Sequence, residues 1–127
     1  MTTRNEDFTR EDIDRIFDAW EDKDPVVPAE YWADDGVYID PHYPEAKYEG
    51  PEEVRRVLES SLQEIIAQPR LTIENLWKDG GTFVVEVQTN HRMVDGSDVD
   101  YPQVFVIETE GGEITRWQSY LPFSRPD

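Results

Sequence analysis

The sequence predicts an α+β domain in which helices cover one face of a curved sheet of long antiparallel strands. Three observations carry that expectation. In two stretches, residues 9–24 and 50–66, apolar side chains recur every three or four positions, the spacing of helices that bury one side. From Pro69 onward the period changes to two, the spacing of strands. Glycine-containing turns then divide the second half into lengths suited to a meander.

Thr9 is placed to cap the first helix, with Asp12 three residues on, and Ile13, Ile16, Phe17 and Trp20 form one apolar stripe on an otherwise charged surface. Asp24-Pro25 ends it, because the residue before a proline is pushed out of the helical region. Pro28 opens a short helical turn carrying Tyr31 and Trp32. Asp34-Asp35-Gly36 then turns the chain into an extended run, Val37 to Asp40, which Pro41 stops. Residues 41–50 read as an ordered loop holding Tyr43 and Tyr48. Gly50-Pro51 starts a second long helix, with Val54, Val57, Leu58, Leu62, Ile65 and Ile66 on its buried side. Strands follow at about Leu71–Lys78, Thr82–Met93, Val99–Glu108 and Glu113–Leu121, joined by Asp79-Gly80-Gly81, Asp95-Gly96 and Gly111-Gly112. No repeat or linker interrupts the 127 residues, so the chain reads as a single domain, 1–127, with residues 1–8 as a frayed start.

Composition narrows the function classes. With 29 acidic against 12 basic residues the formal net charge is −17, which repels phosphate backbones and anionic lipid heads. Neither nucleic acid nor a membrane is an expected partner. The absence of cysteine excludes disulfides, thiolate metal sites and cysteine nucleophiles. No apolar run approaches the ~18 residues of a membrane span, and the first seven residues lack the basic and apolar regions of a leader, so the expected location is cytoplasmic. Lysine occurs only at Lys23, Lys47 and Lys78. An acidic shell over an aromatic core suits work at high salt, where counterions screen self-repulsion.

Alternation assigns the faces of the strands. Phe83, Val85, Val87, Thr89, His91 and Met93 share one side of the second long strand, and Tyr101, Gln103, Phe105 and Ile107 one side of the next; both sets are read as inner. In the last strand Ile114, Arg116, Gln118 and Tyr120 alternate with Thr115, Trp117, Ser119 and Leu121, so apolar groups fall on both faces. A sheet that is apolar outside usually meets another subunit, which predicts a homodimer through the outer sheet face.

The run from Tyr31-Trp32-Ala33-Asp34-Asp35-Gly36-Val37-Tyr38-Ile39-Asp40-Pro41, through Tyr48-Glu49-Gly50-Pro51-Glu52-Glu53-Val54, to Gly111-Gly112-Glu113-Ile114-Thr115-Arg116-Trp117-Gln118-Ser119-Tyr120 carries a family resemblance. It resembles the SnoaL-like branch of the nuclear transport factor 2-like superfamily, which includes ketosteroid isomerases, polyketide cyclases and limonene epoxide hydrolase. The likeness spans nearly the whole chain and implies a strongly curved, mixed but mainly antiparallel sheet wrapped around about three helices. It also implies a deep apolar cavity at the open end of this cone-like barrel, and often a dimer. Such motifs specify the fold better than the reaction, because unrelated chemistries share one pocket.

Asp40 is the first candidate for chemistry. It ends an apolar strand, shares a face with Tyr38, and precedes Pro41; a carboxylate on an apolar wall is a proton shuttle, since burial favours its neutral form. By similarity, Asp40-Pro41 stands where ketosteroid isomerases carry the Asp-Pro of their general base. Those enzymes pair it with a tyrosine and a protonated aspartic acid as donors; here the helix positions are Ile16 and Phe17, and the strand position falls near Gln103, an amide. An epoxide-hydrolase set of Asp40, Arg92 or Arg116, and Asp100 has no support in spacing.

His91 and His42 titrate near neutrality and are read as able to exchange a proton with Asp40 or with substrate. Asp40, His91 and Gln103 are thus the expected catalytic groups. Phe17, Trp20, Trp32, Tyr38, His42, Tyr101 and Phe105 are the expected substrate-binding groups, and Trp77 and Trp117 are read as packing residues. No metal-ligand spacing or phosphate loop is present, and no metal or cofactor is expected. The reading is a cofactor-independent isomerase or cyclase that binds a small apolar, cyclic molecule, with Asp40 as base. The alternative is a non-catalytic ligand-binding or dimerisation domain of the same fold.

Overall fold

The computed structural model describes residues 8–41 and 47–121. Its elements, in chain order, are α1 (Arg10–Glu21), α2 (Val26–Ala29), β1 (Trp32–Ile39), β2 (Tyr48–Glu49), α3 (Gly50–Glu64), β3 (Ile66–Gln68), β4 (Leu71–Asp79), β5 (Thr82–Met93), β6 (Asp98–Glu110) and β7 (Glu113–Tyr120). The strands form one seven-stranded sheet in the order β2-β1-β7-β6-β5-β3, with β4 also paired to β5. Among the described residues only the β1–β7 pair is parallel; the mixed, mainly antiparallel α+β architecture is the expected one.

The helices form where the sequence places them, for the reasons it offers. Thr9 and Asp12 close a reciprocal capping box at the start of α1, and Ile13, Ile16, Phe17 and Trp20 are buried. Pro51 stands in the first turn of α3, which turns Val54, Val57, Leu58 and Leu62 inward. The short helical turn starts earlier than predicted. The Asp24 carboxylate accepts from the backbone N–H of Val26 at 2.8 Å, which seeds α2 directly after Pro25 and leaves Trp32 to open β1.

Four further differences arise from irregular pairing, which alternation cannot foresee. Asp34-Asp35-Gly36 is a bulge within β1 rather than a turn before it, since the β1–β7 register shifts between Trp32 and Val37. Part of the segment read as loop pairs with β1 as β2, and Ile66 leaves the helix for β3. In β7, Ile114 faces Thr109 while Arg116 faces Glu108, so Thr115 is an extra residue. Strict alternation therefore breaks there: Ile114, Trp117 and Ser119 are all buried.

The inner lists of β5 and β6 form the concave wall, with Phe83, Val85, Val87, Phe105 and Ile107 in the core. Trp117 joins Phe105 at 5.0 Å, Trp20 at 5.5 Å and Trp32 at 5.6 Å, an aromatic cluster that seals α1 to the sheet. Trp77 lies outside the core: it stands 55% exposed on the convex face, in one cross-strand row with Val84 and Val106. Tyr120, 47% exposed, lies opposite Val104 on that same face.

Candidate functional site

The site grows from the end of β1. Tyr38 and Asp40 are two residues apart and so share the inner face, where the Tyr38 hydroxyl donates to Asp40 Oδ2 at 2.8 Å. The parallel neighbour β7 brings a second donor, since Ile39 is level with Gln118 and the next residue, Ser119, reaches the same oxygen at 3.4 Å. Asp40 is 4% exposed. Burial favours the neutral acid and donated hydrogen bonds favour the carboxylate, so two opposed effects meet on one group.

Across the concave wall, register sets the other polar side chains. Tyr101 lies opposite Thr89 and Gln103 opposite Val87, all on the inner face. Burial, and then the negative charge of Asp40, push the Tyr101 phenol well above its ordinary value of 10.0, which keeps it a donor over the whole neutral range. The Gln103 amide donates through Nε2 to Thr89 Oγ1 at 2.7 Å, while its Oε1 is buried with no partner among the described residues. His91 accepts the backbone N–H of Arg70 on Nδ1 at 3.0 Å.

These groups border a cavity of about 620 Å³, a size suited to a small organic ligand. Asp40, His91 and Gln103 line it together with Trp20, Tyr38, Tyr101 and Phe105. Phe17 and Trp32 do not: Phe17 stacks on Trp20, and Trp32 stacks on Trp117 in the aromatic cluster behind the wall. His42 lies outside the described residues. The opposite wall comes from α3 and the β3–β4 corner, with Leu58, Ser61, Leu62, Ile66 and Pro69, none of which the sequence assigned to a site. The helical spacing of Leu58, Leu62 and Ile66 signalled burial and could not tell a core from a cavity wall. Asp100 also borders the cavity, and no lysine or arginine does so among the described residues. Among those residues, no three carboxylate or imidazole side chains gather as a metal ion would require. Likewise, no described helix is long and apolar enough to cross a membrane.

With that geometry in place, comparison with known proteins is informative. The SnoaL-like domain family matches residues 13–117. A Catenulispora acidiphila protein with a ketosteroid isomerase-like fold, solved in complex with trimethylamine, superposes with a TM-score of 0.80 at 24% identity, over 92% of this chain and 89% of that one. A SnoaL-like polyketide cyclase structure from Shewanella denitrificans gives 0.77 at 16% identity, over 91% of each chain. TerC, co-crystallised with polyporic acid, gives 0.76 at 15% identity, over 88% and 89%. No curated relative matches the chain in sequence.

Proposed function

This chain belongs to the SnoaL-like domain family, and we propose that it is a cofactor-independent isomerase or cyclase that moves a proton next to a carbonyl of a small, neutral, ring-bearing molecule, with Asp40 as general base. The observation that carries this reading is the Asp40 carboxylate, 4% exposed at the wall of an aromatic-lined cavity and held by Tyr38 and Ser119 through one oxygen. A fixed base beside an apolar volume is the arrangement that abstracts a proton from carbon. Asp40 on the lining, without a basic side chain there among the described residues, disfavours an anionic substrate. The trimethylamine and polyporic acid held by two relatives of this fold support small organic ligands as the class.

The step balances without a co-reactant. Asp40 takes a proton from the carbon next to the carbonyl, the C–H electron pair forms a C=C bond, and the carbonyl π pair moves onto oxygen. Tyr101, His91 and Gln103 polarise or orient that oxygen. In a β,γ-unsaturated ketone the protonated Asp40 returns the proton to the γ-carbon of the dienolate and the carbonyl re-forms, giving the conjugated isomer; in a dicarbonyl substrate the enolate carbon attacks the second carbonyl, closing a ring, and the proton goes to the alkoxide so formed. Phe105 and Trp20 hold the ring of the substrate by stacking and apolar contact.

The test is deuterium uptake at the α-carbon of β-tetralone in D2O, followed by proton NMR. Asp40→Asn keeps the shape and removes the basicity, and is expected to slow enzyme-dependent exchange by about 10²–10⁴-fold. Undiminished exchange in that variant would remove Asp40 from the chemistry.

We further propose a homodimer through the convex face, where the row of Trp77, Val84 and Val106, with Val104 and Tyr120 beside it, offers apolar surface to a second copy.

A further inference from the structure

We propose that Glu21 is a positioning residue of the cavity: through two hydrogen bonds it holds the Trp20 wall against the corner between β3 and β4, and so sets how tightly a ring-bearing ligand is held. This inference rests on the proposed reaction for its ligand class, but its origin is the way α1 ends. The Asp22 N–H donates to the Asp18 carbonyl at 3.0 Å, the Lys23 N–H to the Trp20 carbonyl at 2.9 Å and the Asp24 N–H to the Ala19 carbonyl at 2.8 Å. Lys23 takes the left-handed conformation, with φ of 63°, at the position of this Schellman turn that usually falls to glycine. The turn does not reach the Glu21 carbonyl. Gln68 Nε2, 47 residues along the chain, donates to it at 3.3 Å and also meets its own neighbour, the Pro69 carbonyl, at 3.2 Å.

The side chain of Glu21 meets the same corner. The peptide between Arg70 and Leu71 turns its carbonyl to the Asn90 N–H of β5 at 3.0 Å, so its own N–H points the opposite way, off the edge of the sheet. There the Leu71 N–H donates to Glu21 Oε2 at 3.0 Å. A carboxylate at a helix C-terminus is opposed by the helix dipole, and the last turn of α1 carries no basic residue to offset it. What Glu21 reaches, rather than the helix it ends, accounts for its place.

Both joined pieces are cavity wall. Trp20, the neighbour of Glu21, lines the cavity, and so do Ile66, Pro69 and Leu71 of the corner. Trp20 is packed against Phe105 and Trp117, with ring centres 6.2 and 5.5 Å away, while Glu21 fixes the end of the same helix to the β3–β4 corner. Asp40 and its two donors stand at the end of β1 and on β7, outside this tie. Loosening the tie relaxes one wall of the ligand site and leaves the base where it is, so binding weakens and the proton-transfer step does not slow.

The test compares wild type with Glu21→Ala and Glu21→Gln. Glu21 is half-buried, so water takes the Leu71 N–H in Glu21→Ala and the fold is kept. In Glu21→Gln the amide oxygen reaches the same N–H and restores the tie. In α-deuteration of β-tetralone, Glu21→Ala is expected to raise KM about tenfold and to leave kcat within about twofold, and Glu21→Gln to bring KM back to the wild-type value. An unchanged KM in Glu21→Ala, a kcat that falls as far as KM rises, or a Glu21→Gln as impaired as Glu21→Ala overturns the inference. Gln68→Leu removes the other half of the tie and is expected to raise KM by less; a KM at the wild-type value there overturns the part given to Gln68. A second readout needs no ligand. In 15N-labelled protein the indole N–H signal of Trp20, assigned with Trp20→Phe, is expected to move in Glu21→Ala and to return in Glu21→Gln, and a signal unmoved in Glu21→Ala overturns the inference. Wild-type protein that neither binds nor deuterates β-tetralone removes the proposed reaction, and the Trp20 signal then decides the role of Glu21 by itself.

Discussion

At the scale of single residues, Asp40 and Tyr101 are electrically linked, and the link has a readout. Because burial and the Asp40 charge raise Tyr101 above 10.0, the folded state holds that proton more tightly than the unfolded chain. Stability from this source is complete below about pH 10 and is lost as pH rises through the folded value. Asp40→Asn removes the second cause and leaves the first, so the Tyr101 phenol is expected to ionise at lower pH than in wild type. Phenolate absorbance of Asp40→Asn, taken as the difference from Asp40→Asn/Tyr101→Phe, measures this; an unchanged Tyr101 titration would mean that Asp40 carries no charge beside it. Much of this was legible from the chain, since the i, i+2 relation of Tyr38 and Asp40 and the inner face of Tyr101 and Gln103 follow from alternation alone. What was not legible is the contact between His91 and Arg70, 21 residues apart. It depends on β5 changing partners, and no local pattern encodes that change.

Among the elements, irregular joints decide what the site receives. Gly36 sits in the β1 bulge with its α-carbon against β7, and a Cβ there would stand 2.4 Å from the Ile114 carbonyl oxygen. Backbone cannot yield as a side-chain tip can. Gly36→Ala is therefore expected to cost about 1–3 kcal/mol by forcing β1 and β7 apart, measured by urea unfolding. It should also weaken ligand binding, since Ser119 and Asp40 meet across that joint. Wild-type stability would show that the bulge relaxes freely. The long elements were readable because each repeats a period, as in the α1 stripe from Ile13 to Trp20 or the β5 run from Phe83 to His91. The joints were not readable. A bulge such as Thr115 adds one residue without changing composition, yet it decides that Ile114 and Trp117, three residues apart, both turn inward.

For the whole molecule, charge and apolar surface pull in opposite directions. Two copies that each carry −17 repel one another, and the proposed dimer has to overcome that repulsion through Trp77, Tyr120 and the valines between them. Dimerisation is thus expected to strengthen from low to molar salt and to be lost in Trp77→Glu, as followed by sedimentation velocity. A monomer at every salt concentration would remove this assembly. Net charge was visible at once in the sequence, and so was an outer face with apolar groups. The identity of the exposed tryptophan was not, because hydrophobicity alone does not separate Trp77 on the convex face from Trp117 at the centre of the core.

A ligand of this site lies between the β1 carboxylate and the β5–β6 wall, and a crystal structure of the protein with β-tetralone bound looks at that position itself. Electron density for the ketone inside the cavity is predicted, its oxygen toward His91 and Tyr101 and its α-carbon within reach of the Asp40 carboxylate. Density for the ketone only on the outer surface, or inside the cavity with the α-carbon turned away from Asp40, would contradict it.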